Sequence, residues 1–265
     1  MGRVARALLW HELVERTRDR WVLVISALFA ALSAAVSLYA RSAQASASSL
    51  TGPSLVTLVS LFIPLVALVL GHDAIVGERE RNTLGLLLSL PVSRFEVVIA
   101  KFLGRLLALF FAIAIGLGGA ILVAPPGEGS VLAALLTPTS LLGAAFLALG
   151  VLISALTKRQ LGAASAVVAT WFLLVFFYDL ALLGLLVLTD GELSQRAVST
   201  LVMLNPAGLF RLRLMERFAG PEVLGNLGLV VPLPGAVLSG AIFAAWIVVP
   251  IALSGLHLYR SRAFR

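Results

Sequence analysis

Six long apolar runs constrain this chain more than any other feature: Trp21 to Ala40, Leu55 to Gly71, Leu106 to Ala124, Leu135 to Leu156, Leu161 to Leu188 and Ala236 to Tyr259. Each is close to the roughly 20 residues that a helix needs to cross a hydrocarbon core of about 30 Å. Their polarity does not alternate, so they read as helices and not as the strands of a barrel. Hydrophobic residues make up 60% of the 265, and charged ones 12%, against about 45–50% and about 25% in soluble domains. A soluble fold of this length could not hide so much apolar surface, whereas a bilayer accepts it once the backbone is satisfied internally. The expected fold is an all-α integral membrane protein with six transmembrane helices, in which Pro138 offers an alternative start for the fourth.

An even number of spans puts both termini on one side, and the basic residues name that side. Arg3, Arg6, Arg16, Arg18 and Arg20 precede the first span, and Arg79, Arg81, Arg94, Lys101 and Arg105 lie between the second and third. Lys158 and Arg159 follow the fourth, and Arg260, Arg262 and Arg265 close the chain. These are 15 of the 20 basic residues, with Arg41, Arg196, Arg211, Arg213 and Arg217 opposite. The positive-inside rule therefore predicts a multi-pass protein of the cytoplasmic (inner) membrane with both termini in the cytoplasm. The small residues from Ala43 to Ser49 resemble a signal-peptide cleavage site. The apolar run before them is too long for that, and Glu12, Glu15 and Asp19 precede it.

Residues 1–20 read as an interfacial helix, with Trp10, Leu13, Val14 and Trp21 on one face and Glu12, Glu15, Arg16 and Asp19 on the other. The remainder, 21–265, is one six-helix domain. Within it, the cytoplasmic segment 72–105 carries Leu84, Leu87 and Leu88 on one helical face before Pro91 interrupts it. The external segment 189–235 has an apolar-polar stretch, Leu201 to Met215, and a Pro- and Gly-rich one, Pro221 to Pro234, and is expected to pack on the membrane domain or on a partner.

Catalytic patterns do not emerge. A phosphate-cradling loop needs Gly-Lys followed by Ser or Thr, yet Lys101 follows Ala100 and Lys158 follows Thr157. Gly-x-Ser-x-Gly is absent, and Glu15 stands where a zinc-protease motif beginning at His11-Glu12 needs its second histidine. With no cysteine and only Met203 and Met215 beyond the start, no metal site is expected. Asp179, next to Tyr178, is the one carboxylate well inside a span. It reads either as part of a translocation path or as a hydrogen-bonded residue that pins two helices. His72, Asp73 and His257 sit near span ends, where side chains reach water and a structural role is expected.

The stretch Gly77-Glu78-Arg79-Glu80-Arg81-Asn82-Thr83-Leu84-Gly85-Leu86-Leu87-Leu88-Ser89-Leu90-Pro91-Val92-Ser93-Arg94 resembles the motif after the second span of ABC type-2 exporter permeases: Glu-Arg-Glu, Gly-Thr-Leu-Glu, then leucines and a proline. Leu204-Asn205-Pro206-Ala207-Gly208-Leu209-Phe210-Arg211 resembles the Asn-Pro-x-Asp-Leu-Phe-Arg element of the NosY-like branch, associated with maturation of the copper enzyme nitrous oxide reductase. The chain departs from these patterns at Asn82 for Gly, Gly85 for Glu and Gly208 for Asp.

The resemblance implies a type V exporter architecture: a homodimer of permeases, or a dimer with a related permease, on separate ABC ATPase subunits, which hold the ATP and Mg, with no cofactor on this chain and no nucleic-acid partner. A periplasmic accessory protein would accompany a maturation role. The resemblance also implies a coupling helix, for which Glu78, Arg79, Glu80 and Arg81 are expected as polar contacts to the ATPase, with Leu87, Leu88, Pro91 and Arg94 shaping the segment. Asn205, Pro206 and Arg211 carry the external motif. Two other readings fit the composition: a membrane scaffold that moves nothing, and an ion-coupled transporter, which would be expected to carry more intramembrane carboxylates than Asp179.

Overall fold

A computed structural model of the chain describes residues 3–17, 20–42, 48–89, 91–124, 129–226 and 235–260. Arg18, Asp19, most of the cleavage-like run, the second half of the Pro- and Gly-rich stretch, Arg262 and Arg265 lie outside the described residues, as do the side chains of Arg16 and Trp21. Among the described residues every regular element is helical: α1 (Arg3–Thr17), α2 (Arg20–Ser42), α3 (Ser48–Gly71), α4 (Val76–Glu80), α5 (Leu84–Ser89), α6 (Arg94–Val123), α7 (Gly129–Ala133), α8 (Leu136–Leu156), α9 (Gln160–Phe172), a π-helical turn (Leu173–Phe177), α10 (Tyr178–Leu188), α11 (Gln195–Leu204), α12 (Pro206–Asn226) and α13 (Ala236–Arg260).

Five stretches are long and apolar enough to cross a membrane: Pro53–Glu80, Arg94–Val123, Leu136–Leu156, Gln160–Leu188 and Ala236–Arg260. They match the second to sixth expected spans. The first is present as α2, whose described apolar part is the shorter Ala27–Tyr39. The fourth begins at Leu136, two residues before Pro138, so the proline sits in the first turn, where its missing N–H leaves no hydrogen bond unmade.

The bundle is centred on α3, α6 and α8. α2 lies along α6, α13 along α8, and α12 against α3. Its tightest point is the crossing of α3 and α8. A Cβ on Gly71 would come within 2.8 Å of the Gly150 Cα, and one on Gly150 within 2.8 Å of the Leu68 carbonyl oxygen. Small residues of this kind let helix backbones touch where lipid tails offer no hydrophobic drive to association. The fifth span, α9 to α10, keeps most of its side chains on the outside of the bundle and is tied to α3 by Trp171 Nε1, which donates to the Leu61 carbonyl at 3.0 Å.

Segment 72–105 is two short helices and the first three turns of α6, not one helix. Arg81 to Thr83 turn the chain between α4 and α5, with Asn82 at φ 58°. Asn is the non-glycine residue best suited to that left-handed conformation, and it stands where the family pattern has Gly. Beyond Pro91, Ser93 caps α6. Its side chain accepts from Glu96 N at 3.1 Å while Glu96 accepts from Ser93 N at 3.0 Å.

Candidate functional site

A helix leaves its last four carbonyls without partners, and at one end of this bundle arginines from elsewhere in the chain supply them. Arg79 donates to the carbonyls of Thr157 and Ala155, closing α8. Arg94 donates to those of Leu258 and Tyr259, closing α13. Arg105 donates to Leu70 at the end of α3. Cations there also oppose the negative end of each helix dipole. The opposite charge is used in the complementary way: the Glu80 carboxylate accepts from Gln160 N at 2.7 Å, at the first residue of α9. Ser154 Oγ accepts from Ile75 N and Val76 N at 2.9 and 3.0 Å, holding the start of α4 against α8.

Glu78 completes the run by turning the other way, toward Lys101 on α6 at 2.9 Å. Lys101 Nζ also meets Glu12 of α1 at 3.0 Å, Glu12 takes Arg105 Nε at 2.7 Å, and Arg105 donates to Asp73. Three carboxylates and two cations thus join α1, α4, α6 and the turn after α3, with Arg105 1% exposed and Glu12 4%. At such depth each ion is tolerated because the others pair with it. Consequently the charged face of α1 is divided, with Glu15 exposed to the outside. Glu12 points into the bundle, and Trp10, 67% exposed, points out of it. Both described ends of the chain, α1 and the end of α13, lie at this basic end of the bundle, as the parity argument required.

The Glu-Arg-Glu run is therefore a splice between span ends, with Glu78, Arg79 and Glu80 each engaged inside the chain. The side chains left facing outward belong to the turn and to one face of α5: Arg81, whose nearest carboxylate is Glu15 at 3.8 Å, then Asn82, Gly85, Leu86 and Ser89, with Pro91 beyond. Leu86 is 70% exposed while Leu84 is buried and Leu87 and Leu88 are half-buried. A cleft of about 450 Å³ between α1 and this segment is lined by Leu8, His11, Thr83, Leu86, Leu87 and Val97 among others.

At the other end, the described part of segment 189–235, residues 189–226, folds back against the bundle through its tip at Asn205. α11 packs against α12 and is tied to the start of α10 by Tyr178 OH, which donates to the Leu201 carbonyl at 2.6 Å. At the tip Asn205 Nδ2 donates to the Leu174 carbonyl at 2.6 Å, inside the π-helical turn. Leu174 is 14 residues inside the end of α10 at Leu188, about 21 Å at 1.5 Å per residue. Trp246, ten residues into α13, donates from Nε1 to the Leu204 carbonyl at 3.0 Å. The tip is thus re-entrant, which irregular backbone can be only where protein satisfies it.

Asn205 does most of this. Its Oδ1 accepts from Ala207 N at 3.0 Å and its carbonyl accepts from Leu209 N, while Pro206 has no N–H to place. The returning α12 buries Ala207, Leu209 and Phe210 and brings Arg211 to Asp179 at 2.5 Å. A Cβ on Gly208 would lie 2.7 Å from the Val202 carbonyl oxygen, so the close approach of α11 and α12 accounts for Gly where the family pattern has Asp.

A family model described as ABC-2 family transporter protein matches residues 6–262. This chain belongs to the ABC-2 transporter family. It is 38% identical over 235 residues to the probable ABC transporter permease protein NosY of Pseudomonas aeruginosa, covering 84% of this chain and 86% of that one. To the protein of the same description in Stutzerimonas stutzeri it is 38% identical over 258 residues, covering 92% and 93%. The expected helical membrane fold and family are borne out. As an ABC-2 permease the chain is a multi-pass membrane component of a transporter, and its family implies an ABC ATPase as partner.

The geometry joins two groups of residues that the sequence keeps apart, since Tyr178 and Asp179 meet the hairpin that carries Asn205, Pro206 and Arg211. It also adds four that sequence reasoning missed as a site: Glu12, Asp73, Lys101 and Arg105. The available signal was the i, i+4 pair Lys101 and Arg105, which puts two cations on one helical face in a run that is otherwise nearly all apolar.

Proposed function

We propose that this ABC-2 permease exports a substrate across the cytoplasmic membrane by alternating access at the interface of a permease dimer, driven by a separate ABC ATPase. The observation that carries the coupling is the splice at 78–80. A helix docked in a groove of a soluble partner can pass its displacement on only if it is fixed to the spans, and this segment is fixed to α6, α8 and α9 at once. The docking surface is then the turn at Arg81 and Asn82 and the outer face of α5, with Leu86 as the apolar anchor. The basic end is cytoplasmic in this reading, as the positive-inside rule requires, and Asp179 with Arg211 forms a polar latch beside the path on the opposite side. The resemblance to NosY-like permeases extends the proposal to metalloenzyme maturation with a periplasmic accessory protein.

The test is purification of the tagged chain from native membranes in mild detergent, with bound proteins identified by mass spectrometry and ATP hydrolysis assayed on the same sample. Recovery of an ABC ATPase in near-equal amount with vanadate-sensitive hydrolysis supports the exporter. Recovery of the chain without an ATPase or hydrolysis rejects it in favour of a scaffold or an ion-coupled carrier.

A further inference from the structure

Between the first turns of α8 and α13, remote from the charge cluster, and the first half of α12 lies a cleft of about 820 Å³, within the range of small-molecule sites. Its inner wall is apolar, made by Leu141, Phe210, Leu214 and Phe243, and two arginines of α12, Arg213 and Arg217, line it as well. None of its described lining residues is acidic. Arg213 is oriented by Ser239 in the first turn of α13, whose Oγ accepts from two of its nitrogens at 3.0 and 2.8 Å. Arg217, one turn further along α12, is exposed. Four residues apart, Arg213 and Arg217 lie on one face of α12, where both can reach one anion. A free anion would use the arginines and leave the apolar wall unused, while an uncharged hydrocarbon would do the reverse.

We infer that this cleft binds an anionic phospholipid, its phosphate held by Arg213 and Arg217 and an acyl chain laid against Leu141, Phe210, Leu214 and Phe243. Guanidinium groups match phosphate oxygens in geometry as well as charge, and basic pockets between membrane helices take such head groups. The site lies one to two turns from the end of α13, the depth at which a head group meets its chains. That it faces the outer leaflet rests on the orientation proposed above; the binding does not.

The test is native mass spectrometry of the delipidated full-length chain in detergent, titrated with phosphatidylglycerol, with phosphatidylcholine of the same chains, and with inorganic phosphate. Phosphatidylglycerol is expected to bind at least tenfold tighter than phosphatidylcholine, and phosphate alone not to compete. R217Q should remove most of that preference. G240W should weaken both lipids at least tenfold, because Gly240 lines the cleft, a Cβ there meets no atom within 4 Å, and the indole takes up cleft volume. R260Q, at the opposite end of the bundle, serves as the control and should change neither. Equal binding of the two lipids, competition by phosphate alone, or wild-type phosphatidylglycerol binding by both R217Q and G240W would each overturn the assignment. Because no ATPase or membrane sidedness enters the measurement, its failure is distinct from failure of the exporter reading.

Discussion

Arg79, Arg94 and Arg105 each close the C-terminal end of a different span, which gives the excess of positive charge at this end of the bundle a structural use as well as a topological one. Removing the Arg79 cap strands the part-buried carbonyls of Thr157 and Ala155, at up to about 1–3 kcal/mol each. Arg79→Met is therefore expected to lower the thermal midpoint of the purified protein, and an unchanged midpoint would show that water or lipid already serves those carbonyls. Glu12→Gln should do more. It leaves Lys101 and Arg105 with one carboxylate fewer at a site almost closed to solvent, and loss of one member of a buried ion pair costs about 3–5 kcal/mol. A double change of Glu12 and Arg105 to Leu and Met should recover part of that loss, measured as folded yield after size-exclusion chromatography. Charge counting grouped these arginines at one end of the bundle because that needs only their place relative to apolar runs. It could not assign their roles, since Arg79 caps a helix 78 residues away and Arg94 one 164 residues away.

Length and uninterrupted apolarity made the spans legible as elements, and most of their termini fell within a few residues of the expected ones. α6 departs furthest. It starts at Arg94, 12 residues before the expected Leu106, because its first turns are charged and are buried by α1 and α4 instead of by lipid. The hairpin α11 to α12 was legible only as a stretch marked by its apolar content, with no sign of its depth, because its polar residues read as water-facing until their partners are known. Asn205 is the case in point. It reads as a turn residue before Pro206, yet it feeds a carbonyl that the π-helical turn presents on the fifth span. Gly208→Asp, which restores the family residue, is expected to destabilise this protein by about 1–3 kcal/mol through overpacking against Val202. Asn205→Ala should cost a similar amount by stranding the Leu174 carbonyl. Thermal unfolding in detergent checks both, and a neutral Gly208→Asp would show that α11 and α12 separate at little cost.

At the scale of the whole molecule, one short segment meets three span ends, and this decides where an ATPase can press without tearing the fold. The family resemblance pointed to Glu78, Arg79, Glu80 and Arg81 as contacts to the partner, but three of these four are engaged inside the chain. Reversing Glu78 and Glu80 to Arg together would place like charge beside Lys101 and remove the partner of the α9 N-terminus, so folded yield should fall before any question of docking arises. Leu86→Glu makes the cleaner test. Its side chain is 70% exposed, so the change should leave yield and thermal midpoint within about 0.5 kcal/mol of wild type. If α5 is the docking face, that single charge at the centre of an apolar contact costs at least about 2 kcal/mol, seen as a drop of more than tenfold in ATPase co-purification and in vanadate-sensitive hydrolysis. Normal ATPase recovery with Leu86→Glu would move the docking surface away from α5 and from the cleft beside α1 that Leu86 also lines.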